Sequence, residues 1–108
     1  MANTVGTVTD NNFSSLVLNN DLPVLVFFYA TWARPCQMMA PFIDELAEEY
    51  AGRIAFYKMD FDEYPQACSN HNVRSVPVVT VFRDGASHET ITRAVSKDSL
   101  AQMLNKFV

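Results

Sequence analysis

The residues of this chain best suited to chemistry are Cys36 and Cys68, with the stretch Trp32-Ala33-Arg34-Pro35-Cys36 around the first of them. A cysteine thiolate attacks disulfides and electrophiles, and its reactivity follows its pKa. Before the stretch lies an apolar run, Val24 to Tyr29, the pattern of a strand buried on both faces. After it, Met38, Met39, Phe42, Ile43, Leu46, Ala47 and Tyr50 recur at helical spacing. Cys36 therefore falls where a buried strand hands over to a helix. At such a helix start, unpaired N–H groups and the macrodipole favour a thiolate.

The remaining candidates are less organised. Cys68 reads as a small buried hydrophobe in a short helix, with a regulatory thiol or an intermolecular disulfide as the alternatives. A Cys36–Cys68 bridge needs Cα atoms within about 7 Å, and two cysteines at separate helix starts do not meet that condition. His71 and His88 are far apart in the chain, have no ligand spacing with the cysteines and read as surface residues, so no metal site and no cofactor are expected. Asp44, Glu45, Glu48 and Glu49 form the outer face of the helix after Cys36, a solvated surface rather than an acid–base pair.

Size and composition bound the class. The 108 residues suit one domain with a single core, and 49% apolar with 19% charged residues is globular composition. A net charge of −4 argues against nucleic acid, which needs a basic face. No apolar run approaches the ~20 residues that cross a bilayer, and Met1-Ala2-Asn3-Thr4 lacks the features of a signal peptide. Two cysteines are too few for a disulfide framework, so a reducing, cytosol-like compartment is expected. The chain is separately expected to be a monomer.

The elements that must position Cys36 follow in order. Val5 to Val8 reads as a short strand, and Thr9 or Asp10 can cap a first helix with Phe13, Leu16 and Val17 inward. The buried strand spans 24–29. The long helix runs from about Pro35 to Ala51, is kinked by the internal Pro41, and ends before Gly52 in a left-handed conformation. A third strand covers 54–59, a short helix 65–70 and a fourth strand 78–82. Asp84-Gly85 is a hairpin turn, and a fifth strand follows at about 88–93. Ser96 caps a last helix whose Leu100, Met103, Leu104 and Phe107 face the sheet. The order β-α-β-α-β-α-β-β-α implies an α/β fold with a mixed five-stranded sheet and four helices on its two faces.

This order, and the strand–WARPC–helix junction within it, resembles the thioredoxin family, whose redox motif is W-C-x-P-C, over essentially the whole of residues 1–108. The resemblance implies reduction of protein disulfides. The first motif cysteine attacks and the second, more buried one resolves the mixed disulfide. Here Ala33 occupies the nucleophile position and Cys36 the resolving one, so ordinary dithiol turnover is expected to be lost. Phe27 stands where the family has a buried acid beneath the motif. An apolar neighbour there raises the pKa of Cys36 by desolvation. Lys58 matches the lysine that pairs with that acid, so it is expected to snorkel to water or find another carboxylate. Trp32 and Pro35 match the motif, and Val76-Pro77 matches the cis-proline step opposite it, where an extended peptide can pair. Arg34, the family-like Arg74, and Arg93 at a usual glycine position place three arginines around this groove. They are either unrelated surface residues or a groove remade to hold an acidic segment or an anion.

Three functions stay open at this level. The chain is a disulfide reductase lacking its nucleophile, with a thioredoxin reductase as partner only in a form carrying cysteine at 33. Alternatively it is a redox-inactive module binding a protein or peptide at the Trp32–Pro77 groove. The third is a monothiol sensor acting through Cys36, which requires that thiol to be accessible. An organelle stroma is compatible with each.

Overall fold

The computed structural model describes residues 5–108, and Met1–Thr4, including the segment read above for a signal peptide, lie outside the described residues. Five strands form one mixed sheet: β1 (Gly6–Thr7), β2 (Val24–Tyr29), β3 (Ala55–Asp60), β4 (Val78–Arg83) and β5 (Ala86–Ile91). Their order across the sheet is β1-β3-β2-β4-β5. β1 and β2 run parallel to β3, whereas β4 is antiparallel to β2 and to β5. The helices are α1 (Arg34–Glu49), α2 (Pro65–Asn70) and α3 (Lys97–Leu104), together with a π-helical turn over Ser14–Leu18 and a terminal 3₁₀ turn at Asn105–Phe107. This is the thioredoxin fold.

Period-two alternation along the central strands splits the core between the two faces of the sheet. Leu25 and Phe27 of β2 and Phe56 of β3 pack with Met39, Ile43 and Leu46 of α1 and with Leu100 and Leu104 of α3. Val24, Val26 and Phe28 turn the other way, against Phe13, Val17, Cys68 and Val73. A strand with both faces covered is a continuous apolar run, which is why Val24–Tyr29 reads as one. Lys97 at the start of α3 reaches across to Glu45 at 2.9 Å and Glu49 at 2.5 Å, so part of α1's acidic outer face ties the two helices together.

Several boundaries differ from expectation. The first helix is not capped by Thr9 or Asp10. Asn12 Oδ1 instead accepts the Thr9 N–H at 2.7 Å, and the chain then winds as a π-helix closed by Asn19 N to Ser14 O at 2.9 Å. Its inward residues are as expected, with Phe13 and Val17 buried. β3 begins one residue later, and β5 runs 86–91 rather than 88–93, because the Asp84-Gly85 turn is tight. Both of its residues have positive φ, 54° and 81°, and pairing resumes at once with Arg83 opposite Ala86. α1 starts at Arg34 and passes through Pro41 to Glu49, with Gly52 at φ +82° in the turn beyond it. Met38, expected on the inner face, is 60% exposed, because it falls on the side of α1 away from Met39 and Ile43.

Candidate functional site

The sheet register gathers the candidate residues at one end. Tyr29 lies opposite Asp60, Phe28 opposite Val78 and Val79 opposite Ile91. The segments following β2, β3 and β5, and the one preceding β4, therefore all meet the same edge of the fold. Trp32 and Arg34, Asp62, Arg74 to Pro77, and Arg93 are carried on these segments.

The turn between β2 and α1 is held by its own backbone. Ala33 N–H donates to Ala30 O at 3.2 Å, Gln37 N–H to Ala33 O at 3.1 Å, and the Gln37 side-chain amide to Thr31 O at 2.8 Å. Ala33 is the extended N-cap of α1, with φ −84° and ψ 115°, and Pro35 occupies the first turn, where its missing N–H costs no hydrogen bond. Ala33 provides no side-chain cap to the free amides. A methyl group thus occupies the place where a polar or nucleophilic side chain would meet the positive end of the helix.

Two effects compete at Cys36, in the first turn of α1. The helix start and a hydrogen bond with the Ala30 backbone favour the thiolate, whereas burial disfavours it. Burial prevails: Cys36 is 2% exposed and its pKa is pushed up, desolvation outweighing the Ala30 bond. Cys68 is fully buried under the opposite face of the sheet, and burial, with Asp10 and Asp60 nearby, pushes its thiol up to about 11. The two thiols are free and belong to different core clusters with the sheet between them.

Trp32 is 67% exposed, yet its indole is fixed, Nε1 donating to Asp62 Oδ2 at 2.6 Å. No motif in the sequence marks Asp62 as the partner of Trp32. The nearest signal is the acidic run Asp60-Phe61-Asp62-Glu63 ending the strand beside β2. Val76 is half-buried and Pro77 buried, joined by a cis peptide bond. Arg34, Arg74 and Arg93 are all exposed.

Beneath the turn, Phe27 is 3% exposed and its ring stacks on Tyr29 at 5.8 Å. Lys58, its register partner on β3, is half-buried. Among the described residues it pairs with no carboxylate, and its Nζ lies 5.7 Å from the centre of the Tyr29 ring. The aromatic face takes the place of the expected carboxylate. His71 also differs from expectation. Its ring is packed 4.2 Å from Phe13 and 5.9 Å from Phe82, and burial lowers its pKa. His88 is exposed, as read, with Nε2 3.2 Å from Arg83 O. Among the described residues no three His, Cys, Asp or Glu side chains are grouped to hold a metal ion.

A thioredoxin family model matches residues 4–106. The chain belongs to the thioredoxin family. Among its relatives, an M-type chloroplastic thioredoxin of Pisum sativum is 42% identical over 106 residues, covering 98% of this chain and 62% of the pea protein. A thioredoxin of Pyropia yezoensis is 42% identical over 104 residues, covering 96% of this chain and 97% of the algal one. Thioredoxin 1 of a Nostoc species is 43% identical over 99 residues, 92% of each chain. The chain thus spans about three-fifths of the pea relative and nearly all of the algal thioredoxin.

Proposed function

We propose that this chain is a thioredoxin-family module without dithiol turnover that holds an extended protein segment at the Trp32–Pro77 groove. The observation that carries this reading is the pairing of a methyl group at the N-cap with a sealed thiol behind it. Ala33 cannot open a disulfide, and Cys36, at 2% exposure with a raised pKa, is poorly placed to do so in its stead. The same burial counts against a monothiol sensor, which needs an accessible, low-pKa sulfur.

The binding half of the proposal rests on Trp32, presented in the open but anchored to Asp62, at the same end of the sheet as the Val76–Pro77 step. A fixed, exposed aromatic contributes contact area at little cost in conformational entropy. Arg34, Arg74 and Arg93, exposed at the same end of the sheet, favour an acidic partner segment through guanidinium–carboxylate hydrogen bonds. No nucleic acid, membrane or cofactor enters this scheme, and the module acts as a monomer in a reducing compartment. The chloroplastic name of the pea relative makes an organelle stroma as suitable as a cytosol. In the described residues no helix is long and apolar enough to cross a membrane.

The test is insulin-disulfide reduction with dithiothreitol, comparing the chain as it stands with its Ala33→Cys variant. A silent parent with an active variant shows a competent reductase scaffold lacking one thiol, which a thioredoxin reductase would then be expected to serve. Silence from both shows that the groove itself has diverged toward binding. Activity in the parent overturns the reading of Cys36.

A further inference from the structure

A cleft of about 230 Å³ opens behind Cys36, between α1 and the β1–β3–β2 side of the sheet. Phe27, Tyr29, Cys36 and Ala40 contribute to its wall, and Lys58 and Asp44 are its two charged residues. Neither Trp32, Arg34, Val76 nor Pro77 lines it, so it is separate from the groove discussed above. We propose that this cleft is a binding site for a small amphipathic carboxylate, its acid group on Lys58 Nζ and its apolar body against Phe27, Tyr29 and Ala40.

The argument starts from Lys58. The residue is half-buried, and among the described residues its ammonium makes no hydrogen bond or ion pair. Its register partners are the apolar Phe27 on β2 and Thr7 on β1. The one group described beside it is the Tyr29 ring at 5.7 Å. An ammonium with unused donors at the edge of an apolar wall is matched by an anion that brings its own apolar surface. Asp44 is exposed and lies on the α1 side, so its carboxylate is solvated at the mouth. A dianion would meet its repulsion with both charges, whereas a monocarboxylate held at Lys58 meets less of it. The volume admits a body of one aromatic ring or a short alkyl chain, and the predominantly apolar wall gives nothing to a sugar or nucleotide.

The probe is 3-phenylpropionate, with 3-phenylpropanamide as its neutral counterpart, followed by two-dimensional amide NMR. The acid is expected to shift the Phe27, Tyr29, Gln37 and Ala40 amides saturably, and the amide to bind at least about tenfold more weakly. That factor is the loss of one charge-assisted hydrogen bond. Lys58→Met, which keeps the length and apolar stem of the side chain, should remove the preference for the acid. Ala40→Leu, which narrows the cleft and leaves Lys58 in place, should weaken both compounds. Equal binding of acid and amide, an unchanged preference in Lys58→Met, shifts confined to Trp32 and residues 74–77, or no saturable shift with either compound would each overturn the proposal. The readout needs no redox activity, so it stands apart from the insulin assay.

Discussion

Replacing Phe27 with aspartate puts the physical reading of the site's floor to a direct test. Phe27 is 3% exposed, stacks on Tyr29 at 5.8 Å, and lies in register between Lys58 on β3 and Val79 on β4. Removing a buried phenylalanine side chain costs about 3–5 kcal/mol in transfer and cavity terms. A carboxylate placed there loses hydration, and its attraction to Lys58 offsets that loss only if the geometry of the new pair is good. Lys58 now lies over the Tyr29 ring, so pairing requires it to move, and the aromatic loss is not recovered. The expected net cost is about 3–5 kcal/mol, a large part of the ~5–15 kcal/mol typical of a domain. With a urea m-value of about 2 kcal/mol/M, the midpoint falls by roughly 1.5–2.5 M. The assay is urea unfolding by circular dichroism at neutral pH, with Phe27→Ala as the reference for the aromatic loss alone. An aspartate variant as stable as the parent, or more so, refutes the assignment of position 27 as a dry site. A variant well above Phe27→Ala but below the parent would measure what Lys58 returns.

Other consequences follow from the same geometry. Iodoacetamide at pH 7 should leave Cys36 and Cys68 of the folded chain largely unlabelled, the latter with its pKa at about 11, and should modify both rapidly in urea; prompt labelling of folded Cys36 revives the sensor reading. His71 has its folded pKa lowered by burial, so its contribution to stability is full above its unfolded pKa of about 6.5 and is lost as pH falls through that value toward the folded one. His71→Phe should flatten the fall in urea midpoint between pH 7 and 5, and an unaltered slope would show that His71 is not the group responsible. Asp62→Ala should free the Trp32 indole, changing its fluorescence anisotropy and weakening an acidic-peptide partner severalfold, with stability altered by less than about 1 kcal/mol. An unchanged anisotropy would show that the Asp62 bond does not hold the ring.

What could be read in advance and what could not divide along a physical line. Strand β2 and the inner stripe of α1 were legible because burial writes a continuous run or a 3.6-residue period directly into residue type. The Asp84-Gly85 turn was legible because only certain residues tolerate positive φ in succession. The first helix departs from expectation because Thr9 and Asp10 are good caps by type, yet the side-chain bond that forms is Asn12 Oδ1 accepting the Thr9 N–H, and a π-turn without a side-chain cap follows. Residue type alone does not say which of several local hydrogen bonds wins. The side-chain partners were hidden for a related reason. Asp62 reaches Trp32 across thirty positions of chain, and His71 enters an aromatic cluster drawn from three separate elements. Such contacts depend on how the elements dock, which no local pattern records.

Cys36 shows why a motif's position and its reactivity are separate questions. The handover from β2 to α1 predicts a thiolate-favouring site, and the helix start is where it should be. But the amides at a helix start serve the N-cap side chain above all, and Cys36 lies within the first turn, on the face that α1 buries against the sheet. Desolvation there acts on the sulfur itself, whereas the helix field reaches it only in part. A thiol introduced by Ala33→Cys would be at the N-cap, over the amides that Ala33 leaves without a side-chain partner. The helix should therefore act more directly on a thiol at position 33, although Ala33 is itself only 6% exposed, than on Cys36. On the proposed reading, dithiol chemistry in this fold depends on which of two nearby residues carries the sulfur.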